Sequence, residues 1–340
     1  MENITLCLNG HTITVKANRE AFKITKSVDT PSPTLTLTDC QGGGKITHDS
    51  SFLGNGVNLS ENCNFIMYGG SITDNTTSGG ENTTWRSGGV WVRDNSTFTM
   101  YGGSITDNTT VWNGGGVYVE GSGKFYMHGG EISGNNASSN SGSSGGGVHI
   151  GSDSAFTMTG GTISGNSASN NGGGVHIGSG STFTMTGDSS ITGNNAENGG
   201  GVYVSSDVGY GNSILTLSGA VQIKDNVCNG TKDSNGNYTG GTTSNVYLRS
   251  GKTITIGSGH LTDGASIGVT TQDLPTNEGI AIATGANLND KQYFHSDTGE
   301  NYIFYVTSNG TICMTADNAH GHPICGASCS HNGSSHTNET

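Results

Sequence analysis

Apolar residues along this chain come in short alternating groups separated by Gly, Ser, Thr and Asn. Val175-His176-Ile177 is followed by Phe183-Thr184-Met185, and then by a lone Ile191 with Asn194 three positions on. Apolar, polar, apolar is the period of a half-buried strand, and no stretch carries the 3.6-residue period of a helix. The second group recurs as Phe65-Ile66-Met67, Phe98-Thr99-Met100, Phe125-Tyr126-Met127 and Phe156-Thr157-Met158. Weaker versions stand at Leu6-Cys7-Leu8, Leu35-Thr36-Leu37, Leu215-Thr216-Leu217 and Ile254-Thr255-Ile256. Phe98 to Phe125 and Phe156 to Phe183 each span 27 residues, and longer intervals carry insertions.

Short strands repeated at such a period describe the coils of a parallel β-helix. The expectation is an all-β, right-handed parallel β-helix (β-solenoid) of about nine to ten coils over residues 1–315. Asn-Gly within Ser308-Asn309-Gly310, between two apolar runs, predicts a closing hairpin, as a last coil or an antiparallel cap. Residues 316–340 form a short Cys/His-rich tail or linker, and Lys16 to Pro33 reads as an irregular loop. Asn75, Asn108, Asn135, Asn166, Asn194 and Asn226 each follow the third-strand Ile at one offset. Stacked in successive coils, their amides would bond one another and unpaired backbone groups.

Composition agrees with a thin repetitive core. There are 59 glycines and 4 prolines in 340 residues, with 30% hydrophobic and 11% charged. An ordinary compact enzyme buries more apolar surface. No run approaches the length of a membrane span. Thirteen basic residues face 26 acidic ones, and no Lys or Arg lies between Lys124 and Lys224, which argues against a nucleic-acid partner. No signal peptide opens the sequence, and both ends read as cuts in a longer parent.

The Gly-Gly-x-Ile group (Gly160 to Ile163), the Asn after it and the Gly-Gly-Gly-Val group (Gly172 to Val175) resemble chlamydial polymorphic outer-membrane protein repeats. Together with Leu6-Cys7-Leu8-Asn9-Gly10-His11-Thr12-Ile13 they also resemble the repetitive surface proteins of gut clostridia. The resemblance covers residues 1–315. The chlamydial motif carries Phe-x-x-Asn, whereas here the Asn follows Ile. The resemblance implies a β-helix that is secreted or displayed on a bacterial surface, as an adhesin or stalk. Its partner would be an extracellular glycan or a host or cell-surface protein.

Parallel β-helices also host polysaccharide lyases and glycoside hydrolases, the alternative function. Hydrolysis needs two carboxylates about one bond. Asp74 and Asp107 occupy equal positions in consecutive coils and are the candidate pair. Asp-Asp, Gly-His-Gly and Arg-x-Lys, the signatures expected of pectin hydrolases, are absent from the sequence. A non-enzymatic module is therefore the expectation. The residue between the two apolar positions of the first strand points outward. Down the coils this gives Trp91, Tyr118, His149, His176, Tyr203 and Tyr247, a row of rings expected to be exposed and suited to stacking on sugars. Rings in neighbouring coils could instead stack on each other. Seven cysteines are present. Cys7, Cys40 and Cys63 fall in successive N-terminal coils, as buried thiols or with a Cys40–Cys63 disulfide. His320, His322, Cys325, Cys329 and His331 could build a Zn²⁺ site or contain a disulfide, and no other cofactor is implied.

Overall fold

The computed structural model describes residues 3–27, 31–79, 86–139, 142–206, 211–276, 278–299 and 302–316. The chain winds as a right-handed parallel β-solenoid of about nine turns. One 3₁₀ turn, Asp290–Tyr293, is the sole helical segment among the described residues.

Each central coil has four strands. In one such coil they are Val148–Ile150, Ala155–Met158, Thr162–Ser164 and the two-residue Ser167–Ala168. Like strands pair in register with the coils before and after. Phe65, Phe98, Phe125, Phe156 and Phe183 are consecutive partners, and so are Met67, Met100, Met127, Met158 and Met185. Ile72, Ile105, Ile132, Ile163, Ile191 and Ile223 make a third column. Equal positions fall a strand spacing apart, so each column buries identical side chains against each other. The Phe rings lie 4.6–5.0 Å apart and within 16° of parallel. Every one of them is fully enclosed. This explains how a chain poor in apolar residues keeps a continuous core.

The N-terminal coils differ from the sequence reading in two ways. Ile4, not Leu6, is the partner of Leu35, so the first coil is offset by two residues. Phe22–Ile24 is a strand paired with Val57–Leu59 inside a segment read as a loop. Its Phe-Lys-Ile alternation was the available signal. At the other end Tyr302–Val306 and Ile312–Ala316 form the expected antiparallel hairpin around Asn309-Gly310. Ile312–Ala316 runs antiparallel to Ile280–Thr284, so the hairpin closes the Phe-side sheet.

The Asn column is continuous and directional. The amide Nδ2 of Asn75 donates to Oδ1 of Asn108 at 2.8 Å, and the same bond links Asn108, Asn135, Asn166, Asn194 and Asn226 at 2.9 Å. Each acceptor Oδ1 also takes the preceding Asn backbone N–H. The same amides donate back to the Ile carbonyl of the preceding coil, as in Asn166 to Ile132 at 2.9 Å. Asn226 then donates to Asn245, which stands outside the Ile-plus-three spacing.

Candidate functional site

The first-strand rings form the predicted row. Trp91, Tyr118, His149, His176, Tyr203 and Tyr247 are consecutive register partners. Their expected exposure is corrected by the structure. Trp91 is 3%, Tyr118 7%, His149 8% and Tyr203 6% exposed, and His176 and Tyr247 are half-buried. The reason is the coil pitch itself. From Tyr118 to Tyr247, rings one coil apart stand at stacking distance and cover one another. Centroids lie 4.9 Å apart for Tyr118–His149, 4.5 Å for His149–His176, and 5.4 Å for both His176–Tyr203 and Tyr203–Tyr247. The preceding glycine turn folds back on the same strand. A Cβ on Gly145, at φ +71°, would meet the His149 Cβ at 2.6 Å.

Trp91 and His149 find partners within the fold, His149 Nδ1 at the Ser144 carbonyl at 3.3 Å, whereas the buried His176 Nδ1 has none among the described residues. Trp91 Nε1–H donates to Glu120 at 2.9 Å, and the Arg93 guanidinium lies 4.4 Å from the Trp91 ring centroid. Burial, then the Glu120 carboxylate, pushes the Tyr118 phenol up. Burial, then the neighbouring His176, pushes His149 well below the ordinary imidazole range. Burial alone takes His176 down to about 4. Both imidazoles are therefore neutral at pH 7.

A second ring row reaches solvent. Tyr68, Tyr101 and His128 each follow the second-strand Met, and they stack at 4.9 Å with planes 8° and 22° apart. Tyr68 is 54% and Tyr101 48% exposed. Thr159, in the next coil, accepts or donates a 2.8 Å hydrogen bond at His128 Nδ1 and ends the row. Mutual stacking leaves the ring edges and phenol ends of Tyr68 and Tyr101 toward solvent. The sequence reading passed over these rings. Their signal was a fixed place, Met-Tyr-Gly-Gly twice and then Met-His-Gly-Gly.

Asp74 and Asp107 do lie in adjacent coils. Both have φ of 55°, and the equivalent Gly134, Gly165 and Gly193 have φ of 62–66°. The corner demands a left-handed residue, which Gly adopts freely and Asp tolerates. Burial, then Asp74, raises the Asp107 carboxyl above the ordinary range.

No cluster of three or more His, Cys, Asp or Glu side chains able to hold a metal occurs among the described residues. His320, His322, Cys325, Cys329 and His331 lie outside them. Cys7 and Cys40 are exposed, correcting the expectation of buried thiols there, whereas Cys63 is buried. Cys63 precedes the strand Asn64–Met67, while Cys40 lies past the far end of its partner strand Thr34–Thr38. At about 3.3 Å per residue that separation is too long for a Cys40–Cys63 disulfide.

Compared with protein-family models, with curated proteins and with solved structures, the chain matches none.

Proposed function

We propose that this chain is a non-enzymatic module of a secreted or bacterial cell-surface protein, serving as an adhesin or spacer that contacts an extracellular glycan or a host or cell-surface protein. The carrying observation is the exposed row Tyr68–Tyr101–His128 on a rigid sheet corner. Ordered rings lose little side-chain entropy on binding. A sugar can lie along the exposed ring edges and take hydrogen bonds from the phenols. The likeness of the Gly-Gly-x-Ile and Gly-Gly-Gly-Val repeats to chlamydial and clostridial surface repeats supports the same reading. Contacts through stacking and hydrogen bonds make affinity weakly dependent on salt.

The test is binding of the purified chain to a glycan array and to epithelial cells. Tyr68→Ala or Tyr101→Ala should weaken binding about tenfold or more, equivalent to about 1.4 kcal/mol. Binding unchanged in both variants would overturn the assignment of this row.

A polysaccharide hydrolase or lyase is the second reading. Its support is the raised carboxyl of Asp107 beside Asp74, the arrangement a general acid needs. Turnover of pectin, alginate or host glycans that Asp107→Ala abolishes would establish it in place of the first.

A further inference from the structure

We infer that Cys7 and Cys40 form a redox pair that closes to a disulfide by exchange with a small-molecule or protein disulfide, stapling the first coil to the second. Cys7 ends the strand Ile4–Cys7 and is the register partner of Thr38. Cys40 stands two residues beyond Thr38, across the corner. The Cys40 backbone N–H donates to the Cys7 sulfur at 3.3 Å, which brings the two residues together across the corner. Both thiols are exposed.

The corner is held by its own hydrogen bonds. Leu8 N–H donates to the Thr38 carbonyl at 2.9 Å. The Asp39 carboxylate takes the N–H groups of Gly10 and Gly44, each at 2.7 Å. The two sulfurs are thus placed by regular pairing and a bridging carboxylate between them in sequence. Among the described residues Ile4–Cys7 is an edge strand, paired on one side alone. A covalent link there would hold the least supported strand of that sheet.

The two sulfurs are not equivalent. Hydrogen bonds from the Cys40 thiol and backbone favour the Cys7 thiolate and lower its pKa, while Cys40 is raised by giving that bond and by burial. Cys7 is therefore the attacking thiolate. It displaces one thiolate from the disulfide RSSR, forming a Cys7–S–S–R bond. Cys40 then attacks the Cys7 sulfur, the new S–S bond forms, and the second RS⁻ leaves. The two protons of the thiols pass to the two released thiolates. The protein loses two electrons and RSSR gains them.

The experiment equilibrates the full reduced chain with glutathione and glutathione disulfide mixtures, alkylates, digests and maps peptides by mass spectrometry. The expected product is a Cys7–Cys40 linked peptide lighter by two hydrogens, reversed by dithiothreitol. Native alkylation of the reduced chain should label Cys7 at least about tenfold faster than buried Cys63. Cys40→Ser should stop at a stable Cys7–glutathione mixed disulfide, and wild type should not. Circular dichroism establishes that the variant is folded. Two free, alkylatable thiols under fully oxidising mixtures would overturn the inference. So would links from Cys7 or Cys40 to other cysteines in place of each other.

Discussion

Asn245 gives both its backbone N–H and its side-chain amide to the carboxylate of Asp297, at 2.6 and 2.5 Å. Thr270 adds a hydroxyl hydrogen bond at 3.0 Å. This is where the Asn column ends. At the opposite end, His48 Nδ1 meets the Asn75 Oδ1 at 2.7 Å, and its Nε2 meets the Arg19 carbonyl at 2.7 Å. A column of amides that all donate one way needs a donor at its start and an acceptor at its finish. The Asp297 carboxylate supplies the acceptor, and the His48 ring sits against Asn75 at the start.

Breaking the column in the middle should be costly. Asn166 accepts two bonds from Asn135 and donates to Ile132 and Asn194. Asn166→Ala takes bonds from buried groups in the two flanking coils and should lose about 3 kcal/mol or more in urea denaturation. A loss below about 1 kcal/mol would show that water or neighbouring backbone takes over these bonds.

Removing the acceptor at the end should act locally. Asp297→Ala strands the Asn245 donors and the Thr270 hydroxyl and should cost about 2–4 kcal/mol. Hydrogen exchange should speed up around Asn245 and Thr270 while amides near Phe98 keep their protection.

Acid should destabilise the chain through the histidine pair. In the unfolded chain both imidazoles take a proton near pH 6.5. In the folded chain His176 does so only at about 4, and His149 also lies well below its ordinary value. From about pH 6.5 down to about pH 4 the unfolded state binds more protons, so stability falls as pH falls. His176 alone accounts for about 3 kcal/mol across that window. Asp297 has the opposite sign. Burial raises its carboxyl, so its contribution is lost as pH rises through the folded value. His176→Tyr, matching Tyr203 in the next coil, should flatten the acid side of a Tm-against-pH curve. An unchanged slope would contradict the burial of these rings.

The columns were legible because each coil repeats the same residues at the same offsets: Phe, Met, Ile and Asn announce their neighbours. The weak points were of two kinds. Features at the ends have no repeat to reveal them, so Phe22–Ile24, His48 and Asp297 escaped notice, and Asn245 left the Ile-plus-three spacing. Exposure also depends on what the coil pitch brings together. Alternation correctly sent Trp91 and Tyr118 away from the core. It could not show that His149 in the next coil covers Tyr118, or that Arg93 lies over Trp91. The Asp74–Asp107 proximity was foreseen, while the left-handed corner that explains both residues is a backbone property.

The division of roles between the enclosed row and the exposed row is tested most directly by thermal and urea denaturation of Tyr118→Ala and Tyr101→Ala at pH 7. Tyr118 is enclosed by His149 and coupled to Glu120, whereas Tyr101 stacks at the surface between Tyr68 and His128. The predicted result is a loss of about 3 kcal/mol for Tyr118→Ala and of at most about 1 kcal/mol for Tyr101→Ala. Equal losses, or a larger loss at Tyr101, would contradict it.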